Sequence, residues 1–405
     1  MIFGVDPLLD GGIGWPEIQV VLLKVVLAFA LLMISVMFMV WFERKIHADM
    51  TNRVGPNRAG PFGLLQTLAD GIKLFFKEDL IPDKADRKVF LLAPYLSLIP
   101  AFLIFTVVPV GGDFTTTEKP GVVGILGQDT LLQIADPGIG ILFVLAMSSV
   151  AVYGVMLAGW GSGSKYPLLG SVRASAQMVS YEAALGLSVA AVVLMTGTLS
   201  TRDMVIVQAG EGFAGFIPNW NVIVTGVVPF VIFLIAVTAE LNRPPFDLVE
   251  AEQELVGGFH TEYSSIRFAL FFLAEFMNVV TMSAIIVTLF FGGPAGPQWF
   301  GVVSGTIWFV SKLLVFLFVF SWFRATLPRF RYDQLMDMGW KALIPLSLAW
   351  LLLLAGINIG RDQGWNLGLV VAVGFAGVVL GWALLARAVG NHAHRRALEE
   401  ANEAR

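Results

Sequence analysis

Apolar residues come in long blocks along this chain, and short polar stretches separate them. Nine blocks stand out, at roughly residues 18–42, 88–110, 138–160, 176–196, 222–240, 265–291, 300–324, 341–358 and 366–388. At about 1.5 Å of rise per residue, each is long enough to cross a hydrocarbon core of about 30 Å as a helix. One further stretch, residues 62–78, has a different pattern. There Leu65, Leu68, Ala69, Ile72 and Phe76 recur at helical spacing, and Gln66, Asp70, Lys73 and Lys77 form a second stripe. That pattern predicts an amphipathic helix, too short and too charged to span, lying at the membrane interface. The expected fold is all-α: a polytopic integral membrane protein with about nine transmembrane helices and one interfacial helix. It forms a single membrane domain over residues 1–405, with no visible internal repeat and a polar tail at 389–405.

Composition sharpens this picture mostly by exclusion. Hydrophobic residues make up 57% of the chain, more than a soluble protein of this length carries. The first apolar block is too long for a cleaved signal and has no cleavage pattern. There is no cysteine, so thiolate-held iron–sulfur clusters and disulfides are ruled out. None of the four histidines lies inside an apolar block, which removes a haem held between membrane helices. His392 and His394 belong to a solvated basic tail, and no metal site is expected. Any redox centre must therefore belong to a partner. A net charge of −4 gives no reason to expect nucleic acid. Most lysines and arginines follow the first, third, fifth and seventh blocks or lie in the tail. The positive-inside rule then places the N-terminus outside and the C-terminus in the cytoplasm.

Charge inside the blocks is where chemistry is expected. Glu182 and Glu275 interrupt apolar runs, as does Lys312, and Glu240 closes the fifth block. An unpaired charge at bilayer depth costs at least about 2.5–3.5 kcal/mol, so such residues normally face protein or water. Lys24 lies near a block end and is expected to snorkel to the interface. After Glu240 comes ELNRPPFDLVEAEQELVGGFHTE, which sets Glu240, Asp247, Glu250, Glu252, Glu254 and Glu262 around Arg243. These acids cannot all be ionised at close range in a low dielectric, so protons can be shared or passed among them.

The segments SKYPLLGSVRASAQMVSYE (164–182) and RPPFDLVEAEQELVGGFHTEYSS (243–265) resemble the signature segments of one family. It is the H-subunit family of respiratory complex I, the proton-pumping NADH:quinone oxidoreductase, whose mitochondrial counterpart is membrane subunit 1. The stretches ERK…NRVGPNRAGPFGLLQTLADGIKLFFKE and RATLPRFRYDQLMDMGWK match as well, so the resemblance covers about residues 18–360. The ninth block, 366–388, lies beyond that core. Thr51 departs from the glutamine often found at its position.

The resemblance implies a quinone, menaquinone or ubiquinone, as substrate, with FMN and iron–sulfur clusters in partner subunits. It implies contact with the peripheral-arm quinone-site subunits and with the small and antiporter-like membrane subunits, in the bilayer of a bacterial plasma membrane. Glu43, Arg44, Arg53 and Asp70 match positions near the quinone entrance. The tail's slot would run between the first helix, the Phe62–Phe76 stripe and the sixth. Glu182, Glu240, Arg243, Asp247, Glu250, Glu252, Glu254 and Glu275 match an acidic funnel that couples quinone chemistry to proton movement. Arg324, Arg329, Arg331 and Asp333 match a docking surface for the peripheral arm. A cation/proton antiporter, a related hydrogenase subunit and a passive anchor for a soluble enzyme are the competing readings.

Overall fold

The structure, a computed structural model, describes residues 6–9, 12, 14–114, 119–210, 219–248, 255–366, 368–381, 383 and 387. It is helical almost throughout, with one small hairpin. The helices are α1 (Trp15–Met50), α2 (Gln66–Phe76), α3 (Arg87–Phe105), α4 (Gly140–Gly161), α5 (Lys165–Thr196), α6 (Thr201–Ala209) and α7 (Asn221–Val224). They continue with α8 (Val227–Glu240), α9 (Ser265–Phe290), α10 (Val302–Thr326), α11 (Tyr332–Asp337), α12 (Ile344–Asp362) and α13 (Gly368–Gly381). Strands β1 (Val122–Ile125) and β2 (Gln128–Leu131) pair antiparallel between α3 and α4.

Among the described residues seven helices are long and apolar enough to cross a membrane, and α11 with α12 counts as one of them. Two of the nine expected spans differ from the rest. The fifth was expected as one helix over 222–240, but it breaks into α7 and α8 at Thr225–Gly226. Gly226 sits at φ +79°, a conformation that only glycine adopts without strain. The Trp350 indole donates to the freed Thr225 carbonyl at 2.9 Å. Helix α8 is then only about 21 Å long. The ninth expected span is described as helix α13 over Gly368–Gly381.

Other helices outrun the apolar blocks that announced them. α1 continues to Met50 and carries Glu43, Arg44 and His47 beyond the bilayer-length block. α5 begins at Lys165, so the whole 165–182 motif is helical. α11 passes into α12 through a π-helical turn, Met338–Leu343, against which Tyr181 packs from α5.

α9 is the central helix: most of it is buried, whereas the apolar face of α1 is largely exposed, as suits contact with lipid. The core gathers α1, α3, α4, α5, α8, α9 and α10 around residues such as Tyr181, Phe233 and Phe290. α2 crosses from α1 to the start of α9. Thr67 donates to the Met37 carbonyl at 3.3 Å, and Ser265 donates to the carbonyls of Leu74 and Lys77 at 3.0 and 2.8 Å. No α2 residue is fully buried, and Leu68, Ile72, Phe75 and Phe76 point away from the protein.

Lys24 does not snorkel. It is buried and donates to Asp6 at 2.7 Å and to Thr130 at 3.0 Å, which ties the N-terminal segment to the hairpin. A carboxylate brought in from the preceding segment removes the need to reach headgroup water. That partner lies outside the apolar block, so block position alone misjudged this lysine.

Candidate functional site

The acidic residues come together where α1, α8, α9 and α10 meet, at the end of the bundle that carries the long 51–86 loop. Arg243, just past α8, is buried and donates to Glu43 of α1 at 3.0 and 3.2 Å. Its Nε lies 3.2 Å from Glu275 of α9, and its guanidinium stacks on Phe276 at 4.3 Å. Arg324, from the last turn of α10, donates to the same Glu43 carboxylate. Glu43 is thus clamped by two arginines that sit far away in sequence. Together with Arg44, His47 and Phe272, these residues line a cavity of about 300 Å³.

Local sequence explains how Arg243 gets there. Asn242, at φ +51°, and then Pro244 and Pro245 stop α8 and turn the chain back. The Arg243 amide donates to the Thr238 carbonyl at 3.2 Å, which points the side chain inward. Gln177 of α5 fastens the turn by donating to the carbonyls of Ala239 and Phe246 at 2.8 and 3.0 Å. Asp247 is buried and paired with Arg329 at 2.7 Å, and the Phe330 amide donates to the Pro245 carbonyl at 3.0 Å. The segment after α10 is thereby sewn to the turn after α8.

Deeper in the bundle, Glu240 and Glu275 line one small cavity of about 60 Å³ with His260. Glu182 of α5 hydrogen-bonds Ser149 of α4 and lies close enough to Glu240 to act on it electrostatically. The row therefore runs Glu182, Glu240, Glu275, Arg243, Glu43, Arg324, from mid-bundle to the loop end. Burial lowers the His260 pKa to about 4, against a smaller opposing pull from Asp247. The ring is neutral at neutral pH, with one nitrogen to donate and one to accept.

On the rim, Arg44 pairs with Asp70 of α2 at 2.7 Å, and Gln66 and Lys73 also address that carboxylate. Phe62 is exposed and held at φ +53°, a strained conformation for a bulky residue, while its carbonyl accepts from Trp41 at 2.9 Å. The next residue, Gly63, packs against the Pro56 backbone so closely that a Cβ has no room. Arg53 is exposed on the same loop and lines none of these cavities. Arg331 and Asp333 are exposed side by side, 3.9 Å apart. Glu250, Glu252 and Glu254 lie outside the described residues.

Five polar residues of the site had no role in the sequence reading: Ser97, Ser149, Gln177, His260 and Asn278. The serine pair in VLAMSSVAVY and the glutamine in RASAQMVSYE are polar interruptions of apolar helix, and that is the signal they offered. Among the described residues no group of His, Asp and Glu has the arrangement of a metal site. Among the described residues the site brings together carboxylates, guanidinium groups and one imidazole beside an apolar surface.

A family model described as NADH dehydrogenase matches residues 23–355. The chain is 49% identical to the H subunit of the NADH-quinone oxidoreductase of Frankia alni, over 98% of this chain and 85% of that one. It is 50% identical to the corresponding H subunit of Frankia casuarinae, over 95% and 82% of the two chains. With that of Streptomyces avermitilis the figures are 46%, 90% and 77%.

Proposed function

The chain belongs to the H-subunit family of NADH-quinone oxidoreductase, a multi-pass membrane component of complex I, and from that premise we propose how its residues serve the complex. The reaction of the complex has quinone as substrate. This subunit supplies an apolar approach for the quinone between α1, α2 and the start of α9. It also supplies the row of charges that senses quinone reduction and passes its effect to protons. The observation that carries the proposal is the Glu43–Arg243–Glu275 group, in which Glu43 and Arg243 are buried and Glu275 is half-buried, and which opens on one side to the rim and continues on the other to Glu240 and Glu182.

Each part has a physical task. The exposed apolar face of α2 and Phe62 give an isoprenoid tail a surface continuous with lipid, and Arg44 and Asp70 set the polar lip. Arg243 holds Glu43 and Glu275 in place by charge-assisted bonds. Two-electron reduction of a quinone leaves negative charge that protons must balance. At an effective dielectric near 20, one new charge about 10 Å away is felt at about 1.7 kcal/mol. That exceeds one pKa unit, so proton occupancy can shift along the row without large motion. Arg331 and Asp333, with the 327–331 segment tied to the turn after α8, form the surface on which the peripheral arm seats. FMN and iron–sulfur clusters belong to that arm, the loop end faces the cytoplasm, and the small and antiporter-like subunits lie beyond Glu182.

The test is turnover of the assembled complex carrying Glu240→Gln or Glu182→Gln. Quinone-dependent NADH oxidation and proton uptake should fall together by roughly tenfold, equivalent to about 1.4 kcal/mol on the barrier. Oxidation of NADH by an acceptor that bypasses quinone should be untouched. Wild-type quinone turnover in both variants would refute the coupling role. An antiporter reading predicts instead that ion exchange persists without NADH.

A further inference from the structure

At the end of the bundle opposite the 51–86 loop, a separate space lies between α1 and its neighbours. Leu27, Ala28 and Leu31 of α1 form one wall, and the end of α3, the hairpin and Thr306 of α10 close the others. Leu27 and Leu31 are both half-exposed, so the space opens on the lipid-facing side of α1. Its volume is about 210 Å³, and nine of its twelve lining residues are apolar. A space of that size and lining does not hold water. Left empty, it forfeits dispersion contacts along its walls, and the material at hand in a bilayer is hydrocarbon.

Two of its polar lining residues, Lys24 and Gln133, have bonding capacity to spare. Lys24 spends two ammonium N–H groups on Asp6 and Thr130, and among the described residues no acceptor takes the third. Gln133 is buried, and its Nε2 donates to the Val107 carbonyl at 2.8 Å and to the Thr201 hydroxyl at 3.1 Å. A carbonyl only accepts, so the orientation of this amide is fixed. Its oxygen, Oε1, is buried without a hydrogen-bond partner among the described residues. One residue lacks an acceptor and the other a donor, and a hydroxyl serves both. We propose that this slot binds a glycerophospholipid with a hydroxyl-bearing head group, from the leaflet opposite the 51–86 loop. One acyl chain lies along Leu27 and Leu31, and the head group bonds Lys24 and Gln133. The order of contacts fits such a lipid, because Lys24 is nearer the end of α1 and Leu31 lies about 10 Å deeper. Quinone is not the occupant: Glu43, on the rim of its approach, is about 28 Å further along α1. The bound lipid fastens α1 to the hairpin, and this site stands apart from the coupling row.

The test is photolabelling of the whole complex in proteoliposomes. The probe is phosphatidylglycerol with a diazirine in its acyl chain, and the control is phosphatidylcholine with the same chain, whose head group has no hydroxyl. Labelled peptides are mapped by mass spectrometry. Phosphatidylglycerol should label α1 around Leu27–Leu31 and α10 around Thr306. It should exceed phosphatidylcholine there by about fivefold, the weight of one hydrogen bond. Leu31→Trp fills the slot and should lower the label by about tenfold, because an overfilled space excludes the chain. Quinone-dependent turnover of that variant should stay at the wild-type rate, which shows that the complex is intact. Undiminished labelling in Leu31→Trp, or equal labelling by the two lipids, would overturn the proposal. So would a map of the complex with a side chain of another subunit, or a quinone, seated in the slot. If Leu31→Trp does not assemble, the comparison of the two lipids on the wild-type complex decides alone.

Discussion

Helix α9 has intramembrane charge against both of its ends, and the two ends treat it in opposite ways. At the C-terminal end the ammonium of Lys312 donates to the carbonyls of Phe291, Gly293 and Ala295 at 2.8, 2.9 and 2.9 Å, with Trp220 at 5.4 Å. Gln208 and Asn221 take the carbonyls of Thr288 and Leu289. The carbonyls of Thr288, Leu289 and Phe291 are among those a helix end leaves without partners, those of Gly293 and Ala295 belong to the turn that follows, and a cation is favoured there by the helix dipole. All three ammonium protons are used, so this end has a single arrangement. Toward the N-terminal end Glu275 shares Arg243 with Glu43, and Glu43 is shared again with Arg324. Here acids compete for guanidinium, and Glu240 has an oxygen with no partner. A charge in the membrane is thus no sign of function by itself. The informative feature is whether its surroundings allow more than one distribution of protons.

Substitutions at the two ends should part along that line. The largest effect is expected for Arg243→Met. Removing one member of a buried ion pair costs about 3–5 kcal/mol, and here two carboxylates lose their cation. The subunit should assemble poorly, and the complex that does form should not reduce quinone, as read by native gels and turnover. Lys312→Met comes next, because buried carbonyls left without a donor cost about 1–3 kcal/mol each where water cannot reach them. It should lower the thermal stability of the complex, yet leave protons moved per electron at the wild-type value. A changed proton ratio in Lys312→Met would erase the contrast between the two ends.

The smallest effect concerns pH. His260 titrates near 4 in the folded protein against 6.5 when free, because burial disfavours its charged form. The folded turn therefore binds fewer protons than the open one between those values. Its stability is complete above 6.5 and declines as pH falls toward 4. One unit below 6.5 the loss should be about 1.4 kcal/mol, less what the partly exposed ring recovers from solvent. Protection factors of residues 255–264, corrected for the intrinsic pH dependence of amide exchange, should fall in mild acid, and His260→Asn should abolish that fall.

How far the sequence could be read depended on how local each cause was. Glu182, Glu240 and Glu275 stand out because charge is costly inside apolar blocks, and their convergence is what that cost predicts. Glu43 entered only through family resemblance, since nothing local links it to an arginine 200 residues away. Lys24 was misjudged for the same reason: its partner Asp6 lies outside the block pattern. The break at Gly226 was hidden because one glycine in an apolar run is tolerated in many helices, and the Trp350 that packs beside it comes from α12, more than 120 residues on. Ser97 and Asn278 are ordinary residues for a membrane helix. Only three-dimensional placement shows that both line the cavity beside Glu240 and Glu275.

The central claim, that the buried acids by α9 change protonation when quinone is reduced, can be read directly in the carboxyl stretching region of the infrared spectrum. The measurement is an oxidised-minus-reduced difference spectrum of the intact complex, with Glu240→Gln and Lys312→Met beside the wild type. The account predicts a protonated-carboxyl band on quinone turnover that vanishes in Glu240→Gln and persists unchanged in Lys312→Met. An identical band in all three proteins, or none in the wild type, would contradict it.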